Sequence, residues 1–330
     1  MNLRFLSSML CFSAFLVPAY ADTSTAAHAS PSATASAKEL LEAGRVDEAI
    51  DSLEQQTQHS PSDAESYNLL CRAYYMIEEW DRGIAACERA LNLDPKNSLY
   101  HLWLGRVYGE KASHAGFISA AGLAKKVRTS FERSVELDPA NWEARSDLAE
   151  FYIEAPAVVG GGKDKARQQA DALMPLHPAA AYWVLARIDE KEKDAAGAER
   201  DYRVAIETSH GTAEAWLRLA QFLARANRWD EMTQALRTMD SSPLDRPDSL
   251  MDGGSLLLRT GRDNLLAVRL LRRYLSAPVE DGPAFKAHEA LGRLLEKQGD
   301  RRAAAEEYRA ALALSHTYTR AREDLKRVEH

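Results

Sequence analysis

Apolar and small residues recur along this chain at the helical spacing of three and four. Tyr67, Leu70, Cys71 and Tyr74 form one stripe, Trp80-Asp81 opens a second helix, and Gly83, Cys87 and Ala90 form its stripe before Pro95 closes the segment. The stripes themselves repeat. Pro61 and Pro95 lie 34 residues apart, as do Ala49 and Gly83, Leu53 and Cys87, and Ala198 and Met232. Two helical stripes per fixed period predict a stack of antiparallel helix pairs, each leaving an apolar face for the next to cover.

The residue types at that period carry a family resemblance. Leu104-Gly105-x-x-Tyr108 is followed by Phe131, Ser134 and Asp138-Pro139, and Trp216-x-x-Leu219-Ala220-x-x-Leu223 by Asn227-Arg228-Trp229-Asp230. Leu291-Gly292-x-x-Leu295 precedes Gly299-Asp300, Ala304, Tyr308 and Ala311. From Ala37 to Glu329 the chain resembles the tetratricopeptide-repeat family, in its secreted bacterial form. The resemblance implies an all-α, right-handed superhelical solenoid of about eight repeats with a C-terminal capping helix over Thr319 to Val328. Small residues such as Gly105 and Gly292 let paired helices approach, and Tyr74, Tyr108, Tyr202 and Tyr308 fill the space toward neighbours. Asp47, Asp81 and Asp230 stand where second helices begin and are expected to cap them.

Units are expected to begin near residues 30, 64, 98, 142, 179, 213, 247 and 285, the first and seventh being degenerate. Pro95 to Pro139 is 44 residues and Pro139 to Pro178 is 39, so inserts fall near 109–123 and 154–163, on one edge of the solenoid. The second insert reads Val158-Val159-Gly160-Gly161-Gly162-Lys163 ahead of a helix, which raises a phosphate-cradle reading. Ala157 and Asp164 break the spacing such a cradle needs, so a tight glycine turn is expected.

Ahead of the repeats, residues 1–21 read as a cleavable signal: Arg4 precedes an apolar run from Phe5 to Val17, and Ala19-Tyr20-Ala21 supplies the small residues a peptidase needs. The run is too short to span a bilayer, and no transmembrane anchor is expected after cleavage. Residues 22–36, almost all Ala, Ser, Thr and Pro, read as a flexible leader to a solenoid over 37–329. The implied location is periplasmic or secreted.

The 330 residues are 45% apolar and 28% charged, the composition of a folded globular chain. With 42 Lys plus Arg against 49 Asp plus Glu, the net charge of −7 argues against nucleic acid as a partner. No His-Glu-x-x-His pair or Gly-x-Ser-x-Gly elbow occurs, and neither catalysis nor a cofactor or metal is expected.

Binding is the remaining function. In the family the first helices of successive units line a concave groove that receives extended peptides or short helices. The ninth place of each unit faces that groove, and it holds Arg72, Arg106, Arg187 and Arg293, accompanied by Asn68, Tyr75, Trp103 and Trp183. Guanidinium forks with aromatic walls fit an acidic peptide or a free C-terminus. The competing reading pairs these arginines with Glu110, Glu143 and Glu190 on the same face. The role expected is a scaffold or adaptor for a protein partner; the alternatives are an envelope or polysaccharide assembly component docking through the inserts, and an enzyme with a site beneath them. Cys71 and Cys87 fall at one level of a helical hairpin, where a disulfide and two small buried thiols both remain open.

Overall fold

A computed structural model describes residues 33–279 and 282–330, and nothing is stated of the side chains of Ala33, Ala35, Phe117 and Ile118. The expected signal at 1–21 lies outside the described residues. The described chain is helical throughout. Its helices pair as α1 (Ala33–Glu42) with α2 (Val46–His59), α3 (Ala64–Met76) with α4 (Trp80–Leu93), and α5 (Ser98–Ser113) with α6 (Phe117–Leu137). Then come α7 (Trp142–Glu154) with α8 (Lys163–Leu173), α9 (Pro178–Glu192) with α10 (Ala195–Thr208), and α11 (Ala213–Arg225) with α12 (Trp229–Asp240). The last pairs are α13 (Asp248–Thr260) with α14 (Asn264–Leu275) and α15 (Ala284–Lys297) with α16 (Arg301–Leu314), followed by the single helix α17 (Thr319–Glu329). This is the repeat solenoid of eight pairs and a cap.

Local chemistry sets the helix starts. Asp63, Asn141, Asp194, Asp263 and Asp300 each accept a hydrogen bond from a backbone amide in the first turn of the helix they precede, satisfying a donor the helix leaves open. The capping expected of Asp47, Asp81 and Asp230 is corrected. Each is the second residue of its helix, past the cap position, and its carboxylate bonds instead to His316, Lys111 and Arg262, respectively. The leader boundary also moves, because α1 starts at Ala33 and Thr34 donates a hydrogen bond to Asp63 at 3.0 Å, so residues 33–36 are helical.

Close approach within pairs depends on missing side chains. A Cβ at Gly105 would lie 2.4 Å from the Phe131 ring, and one at Gly292 would lie 2.5 Å from Tyr308. The large tyrosines then tie helices together in a repeating way. Tyr74, Tyr108 and Tyr152 donate hydrogen bonds to Glu54, Glu88 and Glu132, always 20 residues earlier, on the second helix of the preceding unit. Tyr202 and Tyr308 donate to Glu190 and Glu296, 12 residues earlier, within one pair. Burial, then the facing carboxylate, pushes these phenols well above the ordinary tyrosine range, which keeps each hydroxyl a donor.

The inserts are adjacent. The first is absorbed by lengthening α5 and α6, and the second forms a single 3-10 turn, Ala157–Val159, whose Val159 carbonyl accepts from Arg128 of α6 at 3.4 Å. Gly160 adopts φ +100°, open chiefly to glycine, and the amides of Gly160, Gly161 and Gly162 bond to the carbonyls of Ala157, Pro156 and Tyr152. With those donors engaged, the tight-turn reading describes the segment.

The sequence leads one to expect a curved rod, but here the helical body winds back until its first unit meets its last. Val279 donates its amide to the Glu42 carbonyl at 2.8 Å. Gly44, at φ +72°, faces Ala284 so closely that a Cβ would come within 2.5 Å of the Ala284 Cβ. Asp47 accepts from the His316 amide at 2.6 Å, and Glu78 pairs with Lys286 at 2.6 Å. The buried cluster that holds Leu41, Leu53 and Leu70 also takes in Phe285, Ala311 and Ala321 from the far end of the chain.

Candidate functional site

The concave face holds a half-open chamber between units that face each other across it. Its volume is about 970 Å³, with Tyr75, Trp103, Trp142 and Phe151 on one wall and Arg218, Asp245 and Arg246 on the other. The near wall comes from α3, α5 and α7, and the far wall from α11 and the connection over residues 241–247. That connection is fixed in place. Ala213 donates its amide to the Pro243 carbonyl at 2.9 Å, and the Asp245 carboxylate accepts from the Glu214 amide at 3.1 Å.

Aromatic rings form the floor. Trp103 is almost wholly buried, meets Tyr75 edge to face at 5.7 Å, and carries the guanidinium groups of Arg72 at 5.1 Å and Arg106 at 4.9 Å over its ring. A side cavity of about 70 Å³ opens beside it. There His177 stacks on Trp142 at 4.3 Å, and Arg218 covers Trp183 at the same distance. His177 also caps α9 by accepting from the Ala180 amide at 3.1 Å.

The arginine row is internally neutralised. Arg106 donates to Asp147 at 2.7 Å and Glu143 at 2.9 Å, and Arg187 donates to Glu150 at 2.7 Å, Glu154 at 2.8 Å and Glu190 at 3.3 Å. Burial works against the Arg106 charge, but Asp147 and then Glu143 hold its pKa above the ordinary arginine value. The pairing with same-face carboxylates therefore describes Arg106 and Arg187, with Glu143 and Glu190 among the partners. Arg293 stands apart, 3.5 Å from Glu289 in a separate hollow at the C-terminal end. The row does not converge on one spot.

One expected groove residue is corrected. Asn68 is only 2% exposed, its side chain turned into the helix packing, so it offers nothing to a ligand in the chamber. Tyr75 is half-buried and faces the chamber, while Trp183 lines the side cavity. Cys71 and Cys87 lie sulfur against sulfur as a disulfide, with Cα atoms 5.1 Å apart, joining α3 to α4 behind the chamber floor.

Glu214, Arg218, Asp245 and Arg246 are site residues that the repeat register does not pick out. Glu214 binds Arg218 at 2.8 Å and Arg246 at 3.4 Å; burial opposes its charge, yet these two cations keep its carboxyl below the usual range. Asp245 and Arg246 reach the chamber from a connection longer than the family turn, and only the winding of the solenoid brings them opposite Arg106. Among the described residues no group of three or more His, Cys, Asp or Glu side chains could hold a metal ion, and no helix is long and apolar enough to cross a membrane.

Tetratricopeptide-repeat family models match residues 40–107 and 285–317, so such repeats stand in both regions of the chain that meet. No curated protein matches the chain. A tetratricopeptide-repeat protein from Parabacteroides merdae is similar in structure at 14% identity and TM-score 0.45, over 90% of this chain and 98% of that one. A thermophilic tetratricopeptide-repeat protein of Thermus thermophilus aligns at 17% identity and TM-score 0.48, over 58% and 97% of the two chains. The structure of MamA aligns at 17% identity and TM-score 0.43, over 53% and 94%.

Proposed function

We propose that this solenoid of tetratricopeptide repeats is an exported scaffold whose concave chamber receives a segment of a protein partner. The observation that carries the reading is the chamber itself: a space of about 970 Å³, walled by Tyr75, Trp103 and Trp142, with charged side chains fixed around its rim. That size and lining suit an extended peptide or a short helix, because aromatic rings supply apolar contact and fixed charges supply register. The export assignment rests on residues 1–21 and on the cysteine pair, which an oxidising compartment would keep bonded.

The ligand chemistry first expected, an acidic peptide or a free C-terminus, depended on unengaged guanidinium groups. Arg106 and Arg187 already hold carboxylates from neighbouring helices, so an acidic chain would have to displace them. The partner segment therefore is not assigned that chemistry.

A second reading has one observation in its favour. The second insert meets α6, the helix that the first insert lengthens, and its Val158 is 92% exposed, a large apolar side chain presented to solvent on the edge of the solenoid. A photo-crosslinking amino acid placed at Asp245, in the chamber, and separately at Val158 distinguishes the two. Crosslinking of a partner in cell-envelope extract from position 245 alone supports the chamber. Crosslinking from 158 alone transfers the function to the inserts and makes the protein an assembly component that docks through them.

A further inference from the structure

We propose that α17 is a proton-held cap: Glu289 of α15 and Asp324 of α17 share one proton across the contact between their helices, and its loss loosens α17 from the end of the solenoid. The inference is independent of what the chamber binds.

The face of α17 that meets the solenoid is short of apolar cover. Its buried residues are Ala321, Asp324 and Val328, at the helical spacing of three and four, so an acid occupies the centre of the stripe that docks the helix. The residue it meets is also an acid. Glu289 is 4% exposed and Asp324 7%, and the two side chains lie within hydrogen-bond reach of each other. Glu289 Oε1 and Asp324 Oδ2 are buried without a hydrogen-bond donor among the described residues. Carboxylates only accept, so two ionised side chains here would leave both oxygens without a donor and hold like charges together away from water. One proton between them turns that repulsion into a charge-assisted hydrogen bond from one helix to the other.

The surrounding charges do not replace that proton. Arg293 of α15 stands 3.5 Å from Glu289 with its own side chain 43% exposed, and Arg320, at the start of α17, acts on Glu289 while also serving Tyr318 and Glu78. Arg327 bonds to Asp324 but divides itself with Glu296. From α16 the Tyr308 hydroxyl acts on Asp324 and donates to Glu296, and Lys297 lines the same hollow without an ion pair among the described residues. Burial, with Asp324 adding to it, outweighs the pull of Arg293 and Arg320 and raises the Glu289 carboxyl from 4.5 to about 7. The docked helix thus binds a proton that a freed helix gives up, so the hold is fullest below about pH 4.5 and declines until about pH 7. Loosening reaches the contact between the first and last units, because Tyr318, just ahead of α17, packs edge to face on Phe285 at 4.8 Å.

Amide exchange over residues 319–329 of the full chain, expressed as protection relative to each amide's intrinsic rate, reads the docking of the cap. Protection there should fall at least about tenfold between about pH 5 and about pH 7 and then level off, while the α5–α6 pair changes by less than about twofold. Glu289→Gln, whose amide donates to Asp324 at every pH, should erase that fall, and Asp324→Asn should erase it from the other side. Glu323→Gln, an exposed acid on the same helix, should retain it. Thermal melts establish that the variants fold, and either of the first two serves alone if the other does not. A wild-type protection that does not fall, a fall that persists in either Glu289→Gln or Asp324→Asn, its loss in Glu323→Gln, or an equal fall in the α5–α6 pair overturns the proposal.

Discussion

Neighbouring units in the stack and the two ends that meet are joined by different physics. Inside the stack, contact is continuous: a missing Cβ at Gly105 admits the Phe131 ring, a tyrosine reaches back 20 residues to a glutamate, and buried apolar side chains fill what is left. Where the first unit meets the last, the contact is narrower. The Val279 amide on the Glu42 carbonyl, the Gly44–Ala284 approach, the His316 amide and ring on the Asp47 carboxylate, and the Glu78–Lys286 ion pair carry it, with Phe285 as the main apolar anchor. Stacking interfaces are each indispensable to a repeat protein, whereas a closure of this kind adds little free energy and mainly fixes curvature. Stacking builds the chamber's walls, and the winding of the stack brings the far wall opposite the near one.

Changes inside the stack should have the largest effects. Replacing Cys71 and Cys87 together by alanine frees a loop of about 15 residues and should cost about 3 kcal/mol in denaturant unfolding. Mass analysis after alkylation without reductant should find neither cysteine modified in the wild-type protein. Gly105→Leu forces a side chain into the Phe131 ring and should cost about 1–3 kcal/mol, read as a lowered denaturation midpoint.

A smaller, pH-dependent effect is expected in the last unit. Burial pushes the Glu289 carboxyl from 4.5 to about 7, against the opposing pull of Arg293 and Arg320. The folded state therefore holds a proton that the unfolded chain has released, so this group's contribution to stability falls as pH rises from about 4.5 to about 7. Glu289→Gln should flatten the thermal stability profile over that window; an unchanged slope would remove Glu289 as its source.

The closure should respond least in global stability and most in local protection. Asp47→Asn with Lys286→Ala alters two partly exposed polar contacts, one of them an ion pair, and should shift unfolding by at most about 1 kcal/mol. Amide exchange should nevertheless accelerate at Val279 while the α5–α6 pair keeps its protection. Equal acceleration in both places would mean that closure and stacking form one cooperative unit.

The fold was legible because a repeat writes the same constraint many times. Tyr67, Cys71 and Tyr74 announce a helix face alone, and their recurrence fixes the pairing, so the expected unit starts at 64, 98, 142 and 213 coincide with α3, α5, α7 and α11. The site was legible only in part. Trp103, Arg106, Tyr75 and Trp183 follow from register, because the inward face of a first helix is a property of one unit. Asn68 failed because a place near the groove can still turn into the helix contact. Asp245 and Arg246 carry no periodic signal, and their position opposite Arg106 depends on small rotations accumulated over several units. The closure was invisible for the same reason, since Asp47 and His316 are separated by 269 residues and belong to no shared pattern.

The meeting of first and last units is the feature that separates this closed form from a curved rod, and it can be tested by a single crosslink. Asp47→Cys with His316→Cys places two thiols where the native side chains are in hydrogen-bond contact. Mild oxidation of the monomer should then give an intramolecular disulfide in most molecules, seen as one cyclic product after proteolysis without reductant. Free thiols alone, or disulfides found only between molecules, would contradict the closed form.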